Sequence, residues 1–359
     1  MGTTGLLELD ETEEARARRL HEGSPVVDAL VADTAFIDHE GYTDSLRAGG
    51  VDVGNLTVFA DAPGFTEGTR AVVDVRRRVA ANDDRYALVE SVGDLRAAVV
   101  SDRVGVVLGT QGTGPVGGEL DLLDAFAHLG IRVFGLTYNT QNRFGSGCCE
   151  RHDAGLSALG VRAVERLNDL GVVIDTAHDA DRTTLDVVEA SEHPVIQSHI
   201  GCRALCPSYG RAKTDEQLVA VADGGGVSAI TPFPPVIKKD PETHRVLQAT
   251  VRDVLDHIDH AVSVAGVDHV AFGADMSDRA LDRGTLTAGS NLATWRETHP
   301  EVYGAGPTDR MDPYPTGLDR YPKLRNLTRG LVSRGYDDDE IAKILGGNLL
   351  RVFEEVWPE

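Results

Sequence analysis

Three apolar runs end in side chains able to hold a metal ion. GVVIDTAH closes on His178, PVIQSH closes on His199, and DHVAFGAD closes on Asp275. Imidazole nitrogen and carboxylate oxygen are the usual donors to zinc, and three such ligands leave a fourth position open for water or substrate. One strand-end histidine is ordinarily a hydrogen-bonded structural residue. Two of them and a carboxylate on separate strands form a matched set. Other histidines, among them His152, His244 and His257, lie in helical or loop contexts and read as surface or structural.

Something must bring these strand ends to one face. Eight apolar runs recur along the chain, beginning near residues 26, 51, 104, 133, 171, 194, 225 and 268. Amphipathic stretches such as Leu120–Leu129 and Gly155–Leu170 lie between them. Strand followed by helix, repeated, implies a parallel sheet buried on both faces, and eight such units favour a closed α/β barrel of the (β/α)8, TIM type. In such barrels the chemistry sits at the C-terminal ends of the strands, where the three candidates fall. The whole chain, 1–359, reads as one barrel domain. The stretch from about Met276 to Tyr321, rich in Gly, Pro, Thr and Asp, reads as a long loop over the barrel mouth. Residues 337–359 read as a helix, a glycine turn and a second helix packed outside.

Composition narrows the partners. Aromatics make up 5% of the chain against 41% hydrophobic residues, so the core is built from Val, Leu, Ile and Ala. The net charge of −22 repels phosphate backbones and anionic lipid, which argues against nucleic acid and membrane partners. It would also suit a high-salt environment. No run approaches the roughly 18 apolar residues of a spanning helix, and the N-terminus lacks a signal-peptide pattern. The expected location is cytoplasmic, with Cys148, Cys149, Cys202 and Cys206 reduced. Neither a GxGxxG fingerprint after the first strand nor a P-loop is present, so a dinucleotide or nucleoside triphosphate is not expected.

Several segments resemble the membrane (renal) dipeptidase family of zinc peptidases. They are GVVIDTAHDADRTTLDVVEAS, HPVIQSHIGCRAL, RAKTDEQL, GGGVSAI, HIDHAVSVAGVDHVAFGAD and ILGGNLLRVFEEVW, in the family's order and over most of the chain. The resemblance implies a metal-dependent, amidohydrolase-like hydrolase of a dipeptide or other small amide bearing a carboxylate. It assigns His178 and His199 to one zinc and Asp275 to the acid that handles a proton, with Asp275 also a candidate third ligand. Arg211 becomes the cation that grips the substrate carboxylate, a pairing suited to a guanidinium fork. The family also implies a homodimer.

The chain departs from the family at the other zinc. The family's His-x-Asp at the end of the first strand is replaced by Leu30 and Ala32, and its bridging glutamate by Gln111. One Zn2+ is therefore expected rather than two. The family histidine thought to stabilise the tetrahedral intermediate is Tyr138, whose phenol can still donate to an oxyanion. TYNTQNRFGSGCCE resembles a divergent branch of the family in which these changes occur together. Gln111, Asn139 and Asn142 are assigned to the substrate, and Cys148 or Glu150 is a candidate replacement ligand or base. Asp28 and Asp33 are nearby acids with weaker claims. Two other readings remain open: a catalytically silent barrel, without metal, that binds a small amino compound, and a hydrolase of a non-peptide amide or lactone.

Overall fold

The computed structural model describes residues 7–32, 34–37, 40–62, 64–208, 210–276, 292–306 and 314–359. Its strands are β1 (Val27–Val31), β2 (Val53–Phe59), β3 (Tyr86–Leu88), β4 (Val104–Thr110), β5 (Ile131–Gly135), β6 (Val173–Asp175), β7 (Ile196–Cys202), β8 (Ala212–Lys213), β9 (Val227–Ile230) and β10 (Val270–Phe272). Eight of them form one parallel path, β1-β2-β4-β5-β6-β7-β9-β10, and these are the eight apolar runs read from the sequence. The path nearly closes into a barrel: beyond β10, the Asp275 amide donates to Leu30 O (3.0 Å), and the Ala274 amide donates to Asp28 Oδ1 (2.7 Å).

The remaining strands, β3 and β8, are accessory. β3 lies beside the first half of β4, at Val104–Val106, before β5 takes up its second half from Leu108. β8 adds to the end of β7 at Gly201 and Cys202, which carries Arg211 and Lys213 towards the barrel mouth.

Side chains alternate between two cores, as the two-residue period of a strand requires. On β4, Val104, Val106 and Leu108 pack among the helices, whereas Val107 joins Val27, Val53, Val133, Val173, Ile196 and Val227 in the inner cluster. The helix Asn348–Val356 and Trp357 belong to that inner cluster too, so the end of the chain plugs the barrel where its strands begin. The two glycines of ILGGN do not form a separate turn. They lie in a widened π-type turn, Lys343–Gly347, that joins Asp338–Ala342 to the last helix. Glycine is required there by close approach, since a Cβ on Gly346 would fall 2.6 Å from Pro25 O.

Much of the stretch read as a mouth loop lies outside the described residues. The part that is described holds two short helices, Leu292–Thr298 and Pro300–Tyr303.

Candidate active site

His178, just beyond β6, and His199, within β7, face each other with Nε2 to Nε2 at 3.1 Å. Their other ring nitrogens are committed. Ser198 donates its hydroxyl to Asp175 Oδ2 (2.5 Å) and its amide to Asp175 Oδ1 (3.0 Å), so the proton between Ser198 Oγ and His199 Nδ1 (2.6 Å) belongs to the imidazole. His178 Nδ1 lies 2.8 Å from Asn139 Oδ1, an acceptor only, and must donate to it. Both rings are neutral near pH 7: burial, followed by the positive charge of Arg211, holds each pKa well below the ordinary histidine value. A neutral imidazole with its proton on Nδ1 carries a lone pair on Nε2. Two such lone pairs therefore point at each other in a buried space, an unfavourable arrangement unless a cation lies between them.

Arg211 is almost fully buried beside the pair. Its Nη1 donates to Ala177 O (2.7 Å) and its Nη2 to His199 O (3.3 Å), while Nε has no partner among the described residues. Part of the guanidinium fork thus remains free. Two residues along the strand, Lys213 is buried as well and donates to Asp179 O (2.7 Å). Burial lowers the Lys213 pKa to about 8 and raises that of Asp179 to about 7, and the opposite charge of each partner resists the shift. This pair fastens the turn that follows His178. It was not picked out in the sequence, although the two-residue spacing of Arg211 and Lys213 was a usable sign.

Asp275 and Tyr138 complete the wall and keep part of their surface accessible. The Tyr138 ring lies against His178, with centroids 4.4 Å apart. Burial and the nearby Asp275 raise its pKa and keep the phenol protonated as a donor. Burial pushes the Asp275 carboxyl up to about 7, against the pull of Arg211 and with a further push from Asp28. Asp275 and Asn139 are both held at positive φ, 44° and 64°. Backbone strain of this kind in a non-glycine residue concentrates at functional sites.

Other sequence expectations meet a different geometry. Among the described residues no three His, Cys, Asp or Glu side chains are grouped to hold a metal, and the two imidazoles stand as a pair. Leu30 is buried and aliphatic, and the Gln111 amide donates to Thr57 Oγ1 (2.8 Å). Asn142 is absorbed by its own turn. Its Nδ2 donates to Thr113 Oγ1 and Leu136 O, and its Oδ1 accepts the amides of Phe144 and Gly145. Cys148 donates to Asn139 Oδ1 (3.2 Å), which places it by the Nδ1 edge of His178, away from the converging lone pairs. Glu150 accepts the amide of Gln141 in an exposed turn. Asp28 is occupied by barrel closure, accepting from Leu30 N, Ala274 N and the Tyr321 hydroxyl. Asp33 lies outside the described residues. One contributor gave no sequence signal: Tyr303, from the short helix Pro300–Tyr303, donates its hydroxyl to Asn139 Oδ1 (2.5 Å).

Two neutral histidines, a buried arginine and an aspartate at positive φ thus gather at one end of a parallel barrel of TIM type. The chain belongs to the membrane dipeptidase family, peptidase family M19, whose model matches residues 14–284 and 304–357. It is therefore a hydrolase of the metallopeptidase class. Similar curated proteins include an uncharacterized protein in the pqqA 5' region of Klebsiella pneumoniae, 27% identical over 79% of this chain and 94% of that protein. Human dipeptidase 3 is 27% identical over 79% of this chain and 51% of its own length. The chain thus spans nearly all of the bacterial relative and about half of the human one. Among solved structures, an amidohydrolase from Pseudomonas aeruginosa superposes with a TM-score of 0.82 at 28% identity, covering 96% of this chain and 99% of that one. A metallopeptidase from Rhodobacter sphaeroides, solved with a phosphinate mimic of L-Ala-D-Ala, shares the fold with a TM-score of 0.74 at 19% identity, covering 93% of this chain and 99% of that one.

Proposed function

We propose that this enzyme hydrolyses a dipeptide, or another small amide bearing a carboxylate, using one divalent ion, zinc by preference, at His178 and His199. The observation that carries the reading is the pair of converging Nε2 lone pairs. Two nitrogens bound to one tetrahedral zinc at 2.0–2.1 Å stand about 3.3 Å apart, close to the 3.1 Å separation here. The second family position does not fit an ion, because Leu30 and Ala32 offer no donor and the Gln111 amide is held by Thr57. The chemistry an ion supplies between the histidines is Lewis acidity, which polarises a carbonyl and acidifies a water.

The remaining work falls to the chain's own side chains. Arg211 holds the substrate carboxylate through its unpartnered Nε–H and its spare Nη–H groups, which fixes the register of the scissile amide. Asp275, with a pKa raised to about 7, takes the proton from the attacking water and returns it to the leaving amine. Tyr138 donates to the oxygen that becomes negative as the carbonyl turns tetrahedral. Asp175, through Ser198, and Asn139 keep the two imidazoles in their Nδ1–H tautomers.

A panel of dipeptides, N-acyl amino acids and lactones, assayed with added Zn2+, tests this. Turnover of dipeptides or N-acyl amino acids, abolished in His178→Ala and with KM raised in Arg211→Met, is the expected result. Turnover of lactones alone would move the reading to a non-peptide bond. Saturable binding of an amino compound without turnover would establish the silent barrel instead.

A further inference from the structure

We infer that Tyr303 is a positioning residue, which fixes the Asn139 amide and through it the tautomer of His178. This rests on the metal reading of the histidine pair. An amide oxygen has two lone pairs. Those of Asn139 Oδ1 are taken by the Tyr303 hydroxyl (2.5 Å) and His178 Nδ1 (2.8 Å), with the weaker Cys148 thiol at 3.2 Å. Asn139 Nδ2 has no partner among the described residues.

A primary amide can turn over in place, exchanging its two ends at little steric cost. Turned over, Asn139 would present N–H to His178 Nδ1 and drive the imidazole proton to Nε2. That proton would point at His199 Nε2, 3.1 Å away, and close the gap with a hydrogen bond instead of an ion. The Tyr303 hydroxyl opposes this state, because its proton needs an acceptor in a buried site and Oδ1 is the one it has among the described residues. An apparent cost, an unpartnered Nδ2, is thus the consequence of aiming the oxygen where two donors require it.

Tyr303 is itself held from a distance. The buried ammonium of Lys239 donates to Glu301 O (2.6 Å) and Val302 O (3.3 Å), and Ser208 Oγ donates to Val302 O (2.5 Å). The phenol ring stands between Phe233 and Trp295, at centroid distances of 6.5 and 6.2 Å. A short helix beyond β10 therefore sets the tautomer of the histidine that follows β6.

The test compares Tyr303→Phe in two backgrounds, the natural chain and Asn139→Asp, measuring Co2+ affinity by chelator competition and the visible spectrum of the bound ion. Aspartate has oxygen at both ends and cannot be turned the wrong way. In the natural background Tyr303→Phe should weaken Co2+ binding by about 10- to 100-fold, the usual effect of losing a residue that orients a ligand. In the Asn139→Asp background the same change should matter by less than about twofold, the scale of independent sites. Equal losses in both backgrounds, or an unchanged affinity in the natural one, would overturn the inference while leaving the metal reading intact. A natural chain that takes up no Co2+ would overturn both.

Discussion

At the level of single residues Asp275 contributes a pH dependence of stability, beside Asp179, whose carboxyl burial also raises to about 7. Its folded pKa of about 7 is above the ordinary carboxylate value of 3.8. Between those values the native state keeps a proton that the unfolded chain has released. Stability from this group is therefore lost as pH rises through the window, the reverse of the usual salt-bridged acid. Asp275→Asn should raise the melting temperature of the metal-free protein at pH 8, by a gain on the order of 1–3 kcal/mol, and leave it unchanged at pH 4. The same change should abolish hydrolysis, since the amide cannot accept the proton; retained activity would remove Asp275 from the mechanism. Ser198→Ala tests the other arm of the site. Without its hydroxyl His199 Nδ1 loses its acceptor, and metal affinity should fall by about 10- to 100-fold in chelator competition. Type, position and family resemblance agree for His178, His199, Arg211 and Asp275, and the structure brings these four side chains near one another at one end of the barrel. The turn that the Asn142 side chain closes was not legible, because an asparagine in that role looks the same in sequence as one that meets a substrate.

Elements were legible by their burial more than by their length. Parallel strands covered on both faces read as unbroken apolar runs, so all eight barrel strands stood out. β3 is only partly buried and β8 has two residues, so neither is marked by such a run, whereas β6 and β10, as short as β3, are buried throughout. Tyr303 lies in a four-residue helix with no pattern to link it to Asn139. The closure of the barrel makes its own prediction. Gly273 passes so near β7 that a Cβ would lie 1.9 Å from Ser198 O, the backbone immediately before His199. Gly273→Ala must push the two strands apart. It should cost more than about 2 kcal/mol in urea denaturation and weaken metal binding as well; a loss of stability with metal affinity intact would show that β10 gives way and β7 does not.

At the scale of the whole molecule, a charge of −22 on 359 residues sets a strong self-repulsion. Salt screens it, with a Debye length of about 10 Å at 0.1 M and 3 Å at 1 M. If the acidic surface is an adaptation to high salt, the melting temperature should climb steadily from dilute buffer to molar NaCl. Full stability in dilute buffer would end that reading. Among the described residues no helix is long and apolar enough to cross a membrane.

A single ion held by His178 and His199 is open to elemental analysis of protein purified without added metal. About one divalent ion per chain, lost in His178→Ala, is the expected result, because neutral imidazoles bind a metal without first shedding a proton. Two ions per chain would contradict the single site, and none after reconstitution with Zn2+ would contradict the metal chemistry altogether.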